Sequence, residues 1–227
     1  MSEKDYDELR RLGTVLHIPT PEQFWAFSVK DQYGNVTHEH KERGHSWVRN
    51  AYNMLTSQIC EINPNNSTYG AGYINLKDIT AAVFSGDYQT GRSGFSVEIS
   101  GSGYLGGIDS NSNGVIVGTG NTPWTFEDYN LIAAITSGSG AGQLSYQAGT
   151  LAKAYNSGTK TYNVTYNRIF NNNSGTSITI NEVGIYAKYA YPGNAVMVTR
   201  DVLATPVVVA AASTLTATYT IAVTYPA

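Results

Sequence analysis

Apolar and polar positions alternate with period two through most of the last third of the chain. The runs TYNVTYNRIF, TSITINEVGIYAKY, AVMVTRDVL, TPVVV and STLTATYTIAVTY lie between Thr161 and Tyr225 and are rich in Val, Ile, Thr and Tyr. These residues fit a pleated, half-buried surface. Clusters of Gly, Pro, Asn or Ser separate the runs, as they do between strands. Many short strands with such punctuation predict an all-β fold: an antiparallel β-sandwich or jelly-roll-like domain.

The first sixty residues follow other periods. Ser2 to Leu12 predicts a short helix with Tyr6, Leu9 and Leu12 on one side and Asp5, Glu8 and Arg11 turned away. Alone it is too short to be stable in water, so its apolar stripe needs a partner. QFWAFSVKDQYGNVTHEH predicts a strand, a turn at Tyr33-Gly34-Asn35 and a second strand. SWVRNAYNMLTSQIC predicts a helix capped by Ser46. Its apolar face is Val48, Tyr52, Leu55 and Ile59, widened by Trp47, Ala51 and Met54.

Fifteen of the 31 charged residues and all four histidines fall in residues 1–60, and the turn-rich EINPNNS follows Cys60. This shift predicts an extended, helix-containing N-terminal arm over residues 1–62 and a β domain over residues 63–227. Trp25, Phe27, Trp47, Tyr52 and Leu55 are the side chains expected to anchor the arm on a neighbour. Between the two regions the chain is rich in Gly and Ser, and YGAGYINL, GFSVEI, GVIVGTG and QLSYQAG read as strands. Asn113-Gly114 predicts a hairpin turn. Phe126 to Ile135 predicts a short helix, with Thr125 as cap and Glu127 and Asp128 at its N-terminus.

Composition narrows the function. Only 14% of residues are charged, against about 25% in an average domain, and 23 Gly and 17 Tyr help to fill the difference. Such a surface suits contact with copies of itself or with neighbours. A net charge of −3 and the absence of a basic stripe argue against nucleic acid. The single cysteine, Cys60, excludes an intrachain disulfide and reads as a small buried hydrophobe. No apolar run reaches the roughly 18 residues of a membrane helix. The charged N-terminus does not read as a signal peptide, which predicts synthesis in a cytoplasm without classical export.

Chemistry-bearing residues are few. His38 and His40 share one face of a strand and would suit two imidazoles on one metal; a solvated charged hairpin is the plainer reading. Asp109, Asn111 and Asn113 begin a D-x-N-x-N-G calcium pattern, but Gly120 stands where the closing glutamate belongs; an Asx-rich turn explains them as well. Gly101–Gly107 lacks the Lys-Ser/Thr of a phosphate loop, and no cofactor is expected. Every histidine precedes Ser137 and Ser139, so a Ser-His-Asp site is a poor reading. Glu98 and Glu182 lie in predicted strands and are the candidates for a glycosidase pair. Glu182 equally suits a cross-strand charge group with Arg200-Asp201.

Four stretches carry a resemblance: GHSWVRNAYNML, GVIVGTGNTPWTFEDYNL, YNVTYNRIFNNNSGTSITINEVGIYAK, and VTRDVLATPVVV with STLTATYTIAVTY. Over about residues 40–225 they resemble a family of structural proteins from tailed-bacteriophage virions. The shared pattern is G-T-G at Gly118 to Gly120, an Asn-rich turn at Phe170 to Gly175, E-V-G-I-Y at Glu182 to Tyr186, R-D-V-L at Arg200 to Leu203 and a Thr-rich strand at Leu215 to Ile221. The resemblance implies a non-enzymatic component of the virion. The expected role is an accessory head-associated protein, a capsid decoration or fibre base, anchored by residues 1–60 to capsid, neck or tail. Its expected partners are other virion proteins and further copies of the chain, as a homo-oligomer. The alternatives are a module of the neck or tail fibre that binds a receptor or host-surface glycan, and a small glycan hydrolase.

Overall fold

Each period-two run of the C-terminal third lies in a strand. The structure, a computed structural model, describes residues 3–44, 47–60, 75–83, 103–188 and 195–226. The predicted strand GFSVEI, most of YGAGYINL, the linker EINPNNS, the Ser46 cap, the Cys60 side chain and Glu98 lie outside the described residues. In chain order the elements are α1 (Glu3–Leu16), β1 (Thr20–Lys30), β2 (Val36–Arg43), α2 (Arg49–Cys60), β3 (Gly114–Gly118), β4 (Ser145–Tyr146), β5 (Thr150–Asn156), β6 (Thr161–Asn171), β7 (Ile178–Ala187), β8 (Val196–Val209) and β9 (Thr214–Thr224).

They form two antiparallel sheets. The larger has the order β2-β1-β9-β6-β4, with β5 beside β6; the smaller has the order β3-β7-β8. Alternation decides what each strand buries. Trp25, Phe27 and Val29 of β1, Leu215, Ala217 and Tyr219 of β9, and Phe170 of β6 meet Val183 and Ile185 of β7, Val207 and Val209 of β8 and Val117 of β3 in one core. Trp25 Nε1 donates to Asp201 of β8 at 2.7 Å, which ties the two layers together.

The hairpin predicted around Gly34 is present. Asp31 accepts the Tyr33 and Asn35 amides, and Gly34 takes φ +86°, a left-handed conformation that favours glycine. The hairpin does not belong to an arm, however. All eleven residues of β1 pair with β9, from Thr20 with Thr224 to Lys30 with Thr214. The charge shift near residue 60 therefore does not separate residues 20–43 from the sheet. Charge collects there because β2, VTHEHKER, is the edge strand, with half of its side chains in water.

Three other expectations change. AVMVTRDVL and TPVVV run together as β8. The pairing moves from Val202 opposite Glu182 to Val207 opposite Ile180, so the residues around Pro206 bulge out of register, where a residue without an amide hydrogen is tolerated. Asn113-Gly114 is not a hairpin turn, because β3 pairs with β7. Phe126 to Ile135 forms turns rather than a helix. Thr125 and Asp128 still bond like a capping box, but the amides of Ile132 and Ala133 go to Glu182 and that of Leu131 to the Tyr186 hydroxyl.

Helix α1 rests on the hairpin through polar contacts. Arg10 and Arg43 both bond Glu22, and the Arg43 guanidinium stacks 3.8 Å from the Tyr6 ring. Burial would raise the Glu22 carboxyl, but the hydrogen bonds from the two guanidinium groups outweigh it and hold the pKa below the ordinary value. A carboxyl depressed in the fold contributes stability above its unfolded pKa and loses it as the pH falls through the folded value. The protection factors of the amides in residues 3–16 should therefore fall as the pH drops below the ordinary glutamate range, while those of β9 stay high. Equal loss of protection in both would show that α1 is not held by Glu22.

Candidate functional site

Part of the exposed apolar surface lies on the two helices. Among the described residues of α1, Tyr6, Arg10 and Gly13 turn toward the protein. Leu9, Leu12, Val15 and Leu16 face water, the last two 61% and 60% exposed. Leu9, Leu12 and Leu16 stand at i, i+3 and i+7, one stripe of a helix. The predicted grouping of Tyr6 with Leu9 and Leu12 is thus split, because Tyr6 lies under Arg43.

Helix α2 is held by asparagines. Trp47 bridges to Thr199 of β8, and the Val48 amide donates to Val198. The Asn50 side chain donates to the carbonyls of Lys77 and Met197 and accepts the Lys77 amide. Asn53 donates to the Asn75 carbonyl. These two asparagines and Val48 are buried and seat the helix on its own sheet. Tyr52 and Leu55, each 47% exposed, remain outside. Tyr52 meets Trp47 edge-on at 5.9 Å and Phe126 at 5.6 Å, and Arg49, paired with Glu127, lies over Phe126. Trp47, Tyr52 and Phe126 make an aromatic ridge with Leu55 on the same helix.

Trp25 and Phe27, expected to anchor on a neighbour, instead fill the core at 0% and 2% exposure. Trp47 is half-buried, and its indole donates to the Tyr219 hydroxyl at 3.2 Å. No signal in the sequence separated these indoles. The distinction is that β1 lies inside the sheet, whereas Trp47 crosses its margin.

Glu182 and Arg200 do form the cross-strand charge group, at 2.9 Å and without exposure. Asp201 leaves it for Trp25, and Asp128 replaces it on Arg200 at 2.7 Å. Both oxygens of Glu182 are taken up by the amides of Gly120, Ile132 and Ala133 and by Arg200. A carboxylate so enclosed has no face for a substrate. A Cβ at Gly118 or Gly120 would stand 2.6 or 2.5 Å from Glu182 Oε1. The G-T-G pattern therefore makes room for this carboxylate.

His38 and His40 share the face predicted for them, with ring centroids 6.3 Å apart. His40 bonds Glu42 at 2.8 Å. Among the described residues no three His, Cys, Asp or Glu side chains are placed to hold a metal ion.

The calcium-like loop is organised around an arginine. Arg168 of β6 is buried, and its guanidinium donates to the carbonyls of Gly107, Ser110, Asn113, Val115 and Gln147 at 2.8–3.0 Å. Asp109 and Asn111 turn to Ser137, and Asn113 to Ser110 and Leu105. Burial lowers the guanidinium pKa to about 10, so it is charged at neutral pH. An internal cation thus takes the carbonyl oxygens that a metal ion would use.

Arg168→Met should cost about 3–5 kcal/mol by urea denaturation, because several buried carbonyls lose their donor together. Millimolar calcium should leave the melting temperature of the unaltered protein unchanged; a rise would restore the metal reading. On α2, Tyr52→Ala should change stability by less than about 0.5 kcal/mol, and Asn50→Ala should cost about 1–3 kcal/mol. A costly Tyr52→Ala would place that ring among the structural contacts.

Comparison of the chain with protein-family models, with curated proteins and with solved structures found no match.

Proposed function

We propose that this chain is a non-enzymatic structural component of a tailed-phage virion, an accessory head-associated protein that serves as a capsid decoration or fibre base. The observation that carries the reading is the outward apolar stripe of α1. A 14-residue helix held to its own sheet by ion pairs, with Leu9, Leu12, Val15 and Leu16 in water, is built to meet another surface. The docking element is therefore α1, with the α2 ridge as a second contact, rather than the whole of residues 1–62. Other virion proteins or further copies of the chain cover these faces.

A jelly-roll-like course fits the connections. β6 pairs with β9 in one sheet while β7 pairs with β8 in the other. The stretch β6 to β9 is thus one antiparallel ribbon folded over the core. The enclosure of Glu182 supports a non-enzymatic reading.

A second reading, a glycan- or receptor-binding module of the neck or tail fibre, is favoured by the outer face of the large sheet. There Ser28, Thr216 and Thr218, between Glu39 and Lys41, line a groove of about 320 Å³. Hydroxyls beside one acid and one base suit a sugar's polar edge.

Purified particles of the phage that encodes the chain should contain it in fixed copy number by quantitative mass spectrometry. Leu12→Asp with Leu16→Asp should remove it from particles while the isolated protein keeps its melting temperature. Absence of the normal chain from particles would overturn the virion assignment. Undiminished incorporation of the double variant would overturn the role of α1.

A further inference from the structure

Beneath α2 lies a cavity of about 380 Å³, lined by Trp47, Met54, Tyr104, Tyr166, Tyr219 and Ile221 among others. It is more than twice the roughly 150 Å³ that accepts benzene in an engineered core and falls within the range of small-molecule sites. We propose that this cavity binds a neutral, largely apolar small molecule that carries a hydrogen-bond acceptor.

Three observations define the ligand. First, the walls are aromatic and aliphatic, and none of the described lining residues is charged. An ion would lose its hydration there without gaining a partner. Second, the polar groups are unequally satisfied. The Tyr219 hydroxyl accepts from Trp47 and donates to Gln23 at 2.8 Å. The Thr199 hydroxyl receives the Ile185 amide. Among the described residues the Tyr104 hydroxyl finds only the Met54 sulfur, at 3.9 Å, and the Tyr166 hydroxyl finds none. Their rings are 5.9 Å apart, so a phenol with a weak sulfur acceptor and one bonded to no described residue stand side by side against the apolar space. Third, burial raises both phenols, Tyr166 to about 12, which keeps them protonated donors at neutral pH.

A donor in an apolar wall is costly unless an acceptor meets it. A carbonyl or ether oxygen on an apolar body supplies that acceptor, whereas a pure hydrocarbon leaves both hydroxyls unmet. A carboxylate would be excluded by the lack of a cation. The site shares Trp47 and Leu55 with the α2 ridge but none of the α1 stripe that carries the virion reading, so the two can fail separately.

The test is calorimetric titration of the full chain with 2-acetylnaphthalene and with naphthalene, which differ by the carbonyl group. The acetyl compound should bind one to one, about five- to tenfold tighter than naphthalene. Tyr104→Phe with Tyr166→Phe should erase that difference while leaving naphthalene binding intact. Ala51→Leu, which fills the space from α2, should weaken both probes by at least about tenfold. If that variant does not fold, Met54→Trp provides the same block. No saturable binding, or equal affinity for the two probes, would overturn the proposal. So would binding unaltered by the filling variant, which would put the probe on the exposed ridge.

Discussion

Glu182 and Arg200 face each other from β7 and β8 without contact with water. Neither could keep its charge there alone, because an isolated buried ion is among the most costly features a fold can carry. The pair is tolerated because every remaining valence is used. Three backbone amides complete the carboxylate, and Asp128 with the Thr122 carbonyl completes the guanidinium. Those partners come from residues 120–133, so the ion pair dictates the path of that segment as well as the register of the two strands. One residue further along β8, Asp201 points the other way and receives the Trp25 indole. Alternation along a single strand thus sends one charge to the covering loop and the next to the opposite sheet.

The strands were legible because period two is a local property. Runs such as TSITINEVGIYA fix both the strand and the face it buries. What stayed hidden depends on distant partners. β5, TLAKAYN, has weak strand propensity and forms by pairing with β6 along an edge. FEDYNLIAAI has helical caps and a helical look, yet its amides are claimed by Glu182, some fifty residues away. The seating of α2 stayed hidden for a related reason. Apolar spacing marks one wide face of the helix but not what it meets, whereas Asn50 and Asn53 dock on irregular backbone through its carbonyls and an amide.

The same distinction governs the chemical residues. Asp109, Asn111 and Asn113 look like metal ligands when read as a motif. Their role follows from Arg168, which lies more than fifty residues later and enters the loop from β6. Asn172 is comparable. It is fully buried in the turn after β6 and binds the carbonyls of Thr176, Val209 and Ala210, joining two hairpin ends through one amide. Most of the polar side chains that matter are internal fasteners of irregular segments.

The edge strand β2 shapes how copies can meet. A sheet that ends in exposed amides and carbonyls recruits further strands, and at the local concentrations of a large assembly such recruitment does not stop. Glu39, Lys41 and Arg43 alternate along β2 with His38, His40 and Glu42 on its other face, so both faces of any strand laid beside it would meet ionised or titratable groups. Backbone-to-backbone growth is thereby disfavoured at this edge. A neighbour that approached this edge would be met by side chains rather than by backbone hydrogen bonds.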